Sequence, residues 1–367
     1  MKLINTPRSL DLEITNRCNL RCKYCSHFSS AGDVNQDLPK EEWLKFFEEL
    51  NRCAVMDVTV SGGELFVRED IKELIEGIVR NRMRFSVLTN GTLITDEISE
   101  FLVSTGRCNS VQVSIDGSIP MTHEVFRGKG TFAKALNGLK SLMKYKVPVT
   151  VRVTVHKYNI DDLEAVSKLL LEDIGIPSFS TNSASFMGLC RQNAEQVQMT
   201  AEERSVAMEK LLMLSKKYNG RISAAAGPLA DARGWLAMEK VRSEGGVISG
   251  RGCLTGCGGF NSKLAIRADG IIVPCGQMGH IELGRINKDD LKDVWQNHPE
   301  LERLRSRRKI PLSDFEFCHG CEYINYCTGN CPALSYTILG VENHPSPDAC
   351  LRQFLSDGGR LPDESLM

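Results

Sequence analysis

The sequence predicts an α/β protein: a parallel sheet covered by helices, followed by a small cysteine-rich C-terminal domain. Three observations predict it. Strand-like runs alternate with amphipathic stretches from residue 9 to about residue 185, the pattern of βα units. A Gly-rich segment, EGGVISGRG (244–252), then interrupts the chain. Beyond it, eight of the 14 cysteines fall between Cys253 and Cys350.

The strand candidates are SLDLEIT (9–15), VMDVTV (55–60), RFSVLT (84–89), SVQVSI (110–115), VPVTVRVTV (147–155) and SFSTNSAS (178–185). Between them lie KEEWLKFFEELNR, REDIKELIEGIVRNR, DEISEFLVST, FAKALNGLKSLMKYK and IDDLEAVSKLLLE, each with helical apolar spacing. Six βα steps fit either a doubly wound sheet or a sheet rolled into a partial barrel. In both, active sites gather at the C-terminal ends of the strands. Helices are expected over 200–218 and 230–242, and a single helix over 290–308. The domain boundaries predicted are 1–225 for the βα unit, 226–250 for a helical linker and 251–367 for the cysteine-rich domain.

A composition of 42% hydrophobic and 25% charged residues is that of a globular protein. The net charge of −1 gives no general attraction to nucleic acid or to an anionic membrane. No stretch approaches the roughly 18–20 consecutive apolar residues of a membrane span. The N-terminus has no apolar h-region with a cleavage site, so a cytoplasmic location is expected. Cysteines in that compartment stay reduced. Their clustering therefore points to metal rather than to disulfides.

Cys18, Cys22 and Cys25 form C-x3-C-x2-C directly after the first strand. Three thiolates on one loop can each take one iron of a four-iron cluster, leaving the fourth iron for a chelating small molecule. Structural zinc is the alternative, but a closed zinc site takes four ligands in paired spacings. The segment CNLRCKYC (18–25) resembles the signature of the radical S-adenosylmethionine superfamily. The resemblance implies a partial (β/α)6 barrel and a [4Fe–4S] cluster whose open iron binds S-adenosylmethionine. It also implies reductive cleavage to a 5′-deoxyadenosyl radical that abstracts a substrate hydrogen.

Further motifs end the later strands. SGGE (61–64) looks like the family's methionine-amine site, with Gly62 and Gly63 allowing close approach and Glu64 facing the ammonium. TNG (89–91) and SIDG (114–117) resemble cofactor-lining turns, with Ser114 the polar contact to S-adenosylmethionine, although both dipeptides are common turn formers. HEVFRGKGTF (123–132) looks like a segment common in the same branch. Arg127 there, or Arg152 on the fifth strand, is a candidate partner for the methionine carboxylate, an ordinary ion pair being the alternative. Cys190, after the sixth strand, is expected near the barrel mouth, where a thiol could return a hydrogen atom to a substrate radical. A buried apolar role is the alternative.

The C-terminal pattern is Cys253-x3-Cys257, Gly270-x4-Cys275, Cys318-x2-Cys321-x5-Cys327-x3-Cys331 and Cys350. Eight thiolates suffice for two four-iron clusters, although two zinc sites would use the same residues. The order resembles the SPASM domain of radical enzymes that modify peptides and proteins. By that resemblance Cys253, Cys257, Cys275 and Cys331 hold one auxiliary cluster, and Cys318, Cys321, Cys327 and Cys350 the other. Three [4Fe–4S] clusters are implied in all. Cys253 lies outside the core seven-cysteine pattern; without it the first auxiliary cluster has an open iron.

The resemblance implies hydrogen abstraction from a peptide or protein substrate, ending in a thioether, a carbon–carbon crosslink or an epimerised residue. Sulfatase-maturing relatives place a candidate base directly after the cysteine matching Cys275, where this chain has Gly276. Small-molecule chemistry of the heme-pathway kind is a further alternative, and an iron–sulfur electron carrier is the non-enzyme one. The first strand begins near residue 9, so a precursor peptide is expected to need a separate leader-binding protein or the enzyme surface. The basic run RLRSRRK (303–309) could grip an acidic leader or simply be a solvated helix face. A flavodoxin or ferredoxin is the reductant implied.

Overall fold

A computed structural model of the chain describes residues 3–28, 37–255 and 257–366. Seven strands follow one another in parallel: β1 (Ser9–Glu13), β2 (Asp57–Ser61), β3 (Arg84–Thr89), β4 (Cys108–Ser114), β5 (Val149–Val155), β6 (Phe179–Ser183) and β7 (Ile222–Ala224). Helices α1 (Lys40–Arg52), α2 (Ile71–Arg80), α3 (Asp96–Ser104), α4 (Pro120–Arg127), α5 (Thr131–Lys144) and α6 (Leu163–Lys168) return the chain between the first six strands. This is the partial barrel that the alternation and the family resemblance anticipate.

Strand period decides which face does what. Leu10 and Leu12 of β1, Val58 and Val60 of β2, Val111 and Val113 of β4, and Val151 and Val153 of β5 are all buried. The helices supply Trp43, Phe46, Phe47, Leu74, Leu139 and Leu142 to the same core. Alternate residues point the other way, and they are polar: Glu13, Ser61, Gln112, Ser114, Arg152 and Asn182 all line one large cavity. Register keeps them level, with Glu13 opposite Ser61, Ser114 opposite Arg152, and Thr154 opposite Asn182. A closed eight-stranded barrel fills its interior with branched apolar side chains. This open sheet instead keeps a hydrophilic inner face.

Four further helices follow β6: α7 (Gly188–Gln192), α8 (Ala194–Val197), α9 (Ala201–Lys217) and α10 (Pro228–Ser243). A capping box of Thr200 and Glu203 starts α9. The linker expected over 226–250 is largely α10. Gly227, at φ +79°, starts it so close to β6 that a Cβ there would stand 2.5 Å from the Ser183 amide.

The cysteine-rich part shares the sheet rather than standing beside it. Strand β8 (Lys263–Ile266) pairs in parallel with β1, while β9 (Ile271–Val273) and β10 (Gly284–Arg285) extend the edge antiparallel. The result is one ten-stranded sheet in the order β10-β9-β8-β1-β2-β3-β4-β5-β6-β7. The single helix expected over 290–308 is two, α11 (Leu291–Asn297) and α12 (Pro299–Arg305), followed by a 3-10 turn, Ser306–Lys309. Pro299 lacks an amide and clashes with the preceding turn, so the chain breaks at His298, whose ring accepts from the Glu300 amide at 3.2 Å. Helices α13 (Pro332–Leu339) and α14 (Leu351–Ser356) complete the fold. Among the described residues no helix is long and apolar enough to cross a membrane.

Candidate iron–sulfur and cofactor site

The loop after β1 carries Cys18, Cys22 and Cys25, and backbone bonds hold it against the loop after β2. The amides of Gly63 and Glu64 donate to the carbonyls of Thr15 (2.8 Å) and Arg17 (2.9 Å). Gly62 adopts φ +146°, and a Cβ on it would collide with the Thr15 carbonyl; one on Gly63 would collide with that of Arg17. The paired glycines are therefore needed to bring the two loops together. Asp37 adds a second anchor, accepting from the Thr15 hydroxyl at 2.5 Å and the Asn16 amide at 2.7 Å. Helix α7 braces the loop from the other side, its Leu189 and Cys190 amides donating to the Phe28 and Cys25 carbonyls.

The three cysteines line a cavity of about 770 Å³, together with Gly62, Gly63, Ser114, Arg127 and Arg152. The Leu20 amide donates to the Cys18 sulfur at 3.4 Å. Burial pushes the Cys22 thiol up to about 12, so it would be deprotonated by metal binding rather than by solvent.

Glu64 has partners other than those expected. Its side chain is fully buried. Oε1 accepts from the Thr89 hydroxyl at 2.8 Å and Oε2 from the Asn90 amide at 2.7 Å, with the Phe66 amide at 3.3 Å. Burial raises its carboxyl to about 7, against the pull of those donors. Glu64 thus ties the SGG turn to the TNG turn, and its neighbours Gly62, Gly63, Thr89 and Asn90 face the cavity in its place.

The two arginine candidates separate. Arg127 is buried in an ion pair with Asp116, Nε to Oδ2 at 2.6 Å. Asp116 also accepts from the Tyr24 hydroxyl and from the Thr154 amide at 2.8 Å. Burial opposes its charge, yet Arg127 holds the carboxyl below the usual carboxylate range. This pin joins the cysteine loop, β4 and β5, and it occupies Arg127. The Arg152 Nε, by contrast, is buried and has no hydrogen-bond partner among the described residues, as is the case for the Asn182 Oδ1 one strand over. Orphaned polar groups on a cavity wall are what an absent polar ligand would satisfy. An anionic carboxylate fits Arg152, and a hydroxyl or amine fits Asn182.

Cys190 does not reach the cavity. It is fully buried with Phe126 and Val197 and is not among the residues that line the cavity.

The opposite wall comes from the cysteine-rich part. Gly276, Gln277, His280 and Tyr336 line the cavity there. The His280 and Tyr336 rings stack at 3.4 Å, and the His280 Nε2 lies 2.7 Å from a Glu342 oxygen. Glu13 faces them from β1, its Oε1 only 2.8 Å from where a Cβ on Gly276 would sit. Burial raises this carboxyl to about 7, with Arg267 lowering it and Asp11 and Asp269 raising it. The sequence reading missed Glu13, Asp116 and Asn182. For Glu13 the signal was present, as an acid in the strand alternation on the polar side.

Seven of the eight C-terminal cysteines have other C-terminal cysteines near them. Cys318, Cys321, Cys327 and Cys350 line a cavity of only about 130 Å³, small enough for an inorganic group and too small for an organic cofactor. Burial pushes Cys318 up to about 11, and the neighbouring thiols of Cys327, Cys321 and Cys350 add to it. Cys275 is pushed up to about 12 by burial, with Cys331 and Cys257 adding to it. Cys253 forms an antiparallel bridge with Pro311. Cys331 and Cys350 are the N-cap residues of α13 and α14. The Gly259 and Gly329 amides donate to the Cys257 and Cys327 sulfurs, each at 3.3 Å. Among the described residues no three His, Cys, Asp or Glu side chains converge on a single-ion site. A four-iron cluster needs no such convergence, since each cysteine takes its own iron.

A parallel sheet with a three-cysteine loop at its C-terminal end and a second cysteine array across the cavity defines a class: iron–sulfur enzymes that bind an organic cofactor beside an incompletely ligated cluster. Residues 12–170 match the radical SAM superfamily and residues 257–322 the SPASM iron–sulfur cluster-binding domain. The chain belongs to the radical SAM superfamily, in its SPASM-domain branch. It is 27% identical to the AdoMet-dependent heme synthase of Methanosarcina barkeri, over 94% of this chain and 97% of that protein. It is 25% identical to the PqqA peptide cyclase of Ruegeria pomeroyi, over 92% of this chain and 85% of that one. Streptococcus suis SuiB, solved with S-adenosylmethionine, superposes with a TM-score of 0.72 at 16% identity, over 95% of this chain and 78% of that one.

Proposed function

We propose that this radical SAM/SPASM enzyme abstracts hydrogen from a residue of a ribosomally made peptide or protein, forming a thioether, a carbon–carbon crosslink or an epimerised centre. The observation that carries the reading is the cavity of about 770 Å³ shared by both cysteine regions. It is at the upper end of the range for small-ligand sites, enough for a cofactor and a substrate side chain together. Its walls are mostly hydrogen-bonding groups, which suits a peptide backbone. The similarity to a peptide cyclase supports the same reading.

Cys18, Cys22 and Cys25 would hold the [4Fe–4S] cluster that binds S-adenosylmethionine. Together these groups supply reductive sulfonium cleavage and hydrogen-atom abstraction when bound. Arg152 would pair the cofactor carboxylate, and Ser114 and Asn182 would bind its polar groups. Gly62 and Gly63 present backbone to the amine, while Glu64 holds their turn in place. Cys257, Cys275 and Cys331 hold one auxiliary cluster, with Cys253 proposed as its fourth ligand. Cys318, Cys321, Cys327 and Cys350 hold the other. A flavodoxin or ferredoxin supplies electrons.

The test is anaerobic incubation of the cluster-loaded chain with S-adenosylmethionine, a one-electron reductant and a small peptide encoded beside it. Mass spectrometry should show loss of two hydrogens, or uptake of one solvent deuterium for an epimerase, with stoichiometric 5′-deoxyadenosine. An unmodified peptide beside a consumed iron tetrapyrrole in a parallel reaction would replace this reading by small-molecule chemistry. The heme synthase similarity, which spans nearly all of both chains, favours that second reading.

A further inference from the structure

The basic run of residues 303–309 contains one arginine unlike the others. Arg303 pairs with Glu300 and Glu342, Arg305 lies over the Trp295 ring, and Arg308 reaches the Asn261 side chain. Arg307, in the 3-10 turn after α12, points inward and is 3% exposed. Its Nη1 donates to the Glu342 carbonyl and its Nη2 to the Asn330 carbonyl at 3.5 Å. Both acceptors are neutral. The Glu342 carboxylate is taken by His280 and Arg303. Among the described residues no carboxylate forms an ion pair with Arg307.

A guanidinium stays protonated, and a buried charge needs a partner of opposite sign. Two observations locate that partner. Arg307 and Cys257 line the same cavity of about 420 Å³. Asn330, which accepts from Arg307, directly precedes Cys331. Burial works against the Arg307 charge, and the groups favouring it are Cys331 first, then Cys257, with Glu342 behind them. The anion that completes the site is therefore one carried by these thiolates. A thiolate-ligated four-iron cluster is negative, and reduction makes it more so.

We propose that Arg307 is the fixed counter-charge of the auxiliary cluster on Cys257, Cys275 and Cys331, retaining that cluster and favouring its reduced state. This rests on the cluster allocation proposed above. Arg307 acts through the cluster and touches no substrate, so it is a positioning residue whose signature is a potential.

The experiment uses the full chain with Cys18, Cys22 and Cys25 replaced by alanine, reconstituted with iron and sulfide, so that only the C-terminal clusters contribute. Potentiometric titration followed by electron paramagnetic resonance gives the reduced fraction. Arg307→Gln should lower the reduced-to-oxidised ratio of one cluster about tenfold at fixed potential, a shift of about 59 mV for one electron. Arg307→Lys, which keeps the charge, should stay within about threefold of the parent. Lys309→Gln, which removes an exposed charge outside the cavity that Arg307 and Cys257 line, should not move the ratio. Loss of about four irons in Arg307→Gln but not in Arg307→Lys would also support the counter-charge. The proposal fails if Arg307→Gln keeps its iron and its potential, or if Arg307→Lys is as damaging as Arg307→Gln. If Cys257→Ala removes no iron from the parent, the cluster allocation has failed, and the counter-charge role falls with it.

Discussion

The two cysteine regions reach similar chemistry by opposite constructions. Cys18, Cys22 and Cys25 sit on one short loop that hydrogen bonds to Asp37, Gly63 and Glu64 hold without metal. Cys318, Cys321, Cys327 and Cys350 come from separate turns and the cap of a six-residue helix. Around them lie a small apolar cluster of Leu254, Leu312 and Cys318 and, from the main core, Trp235, Tyr323 and Leu351. The first site is a cradle held by the sheet, whereas the second gathers its thiols from separate turns, which on the proposed allocation its inorganic group ties together. Cys275 lies between these extremes, since β9 is tied to β1 through β8.

The comparison can be broken experimentally. Replacing Cys18, Cys22 and Cys25 together by alanine should abolish S-adenosylmethionine cleavage and remove about four irons. The melting temperature should hardly change, and a large fall would mean that the first cluster is structural. Next in size is the effect of stripping iron with a chelator under anaerobic conditions. Hydrogen exchange should accelerate across residues 312–356 while β1–β5 stay protected. Equal acceleration in both regions would erase the distinction.

Smaller effects sharpen the account of the cradle. Gly63→Ala forces a Cβ against the Arg17 carbonyl and should destabilise the protein by roughly 2–4 kcal/mol, measured by denaturant unfolding of the apo-protein. Glu64→Gln leaves an NH2 donor facing either the Asn90 or the Phe66 amide, each of which donates to the carboxylate in the parent, for about 1–3 kcal/mol. S-adenosylmethionine binding should weaken through the displaced Asn90 turn. Full stability with lost affinity would instead return Glu64 to direct contact with the cofactor.

Glu13 gives an effect of similar size and a definite sign. Its carboxyl is raised from 4.5 to about 7 in the folded protein, so the proton is bound more tightly folded than unfolded. Its contribution to stability is fully present below about pH 4.5 and is lost as pH rises through about 7. The charges around it are Arg267, Asp11 and Asp269, with His27 at 4.0 Å. Glu13→Gln should therefore gain on the parent by on the order of 1–3 kcal/mol between these limits. Parallel stability–pH curves for the two proteins would count against a buried Glu13 carboxyl.

Much was legible in the order of residues alone. Alternation in SLDLEIT and VTVRVTV marks strands with one apolar and one polar face, because side chains on a strand have a period of two. The spacings 18-22-25 and 318-321-327-331 point to metal, because thiols crowded at such short intervals suit a metal or cluster. These are local properties, carried by neighbours in sequence. The rest depended on neighbours in space. Nothing in SGGE says that Glu64 will spend its carboxylate on Thr89 and Asn90, and nothing in HEVFRG says that Asp116 will claim Arg127 and leave Arg152 open. Cys190 looked placed for chemistry by its distance from a strand end, yet α7 turns it under Phe126. The β8–β1 pairing joins residues some 250 positions apart, and it sets Gly276 against Glu13. Spacing along a chain specifies which groups can share a turn. Which buried donor meets which acceptor is decided only when the sheet closes around both, since an unpaired polar group inside is too costly to leave.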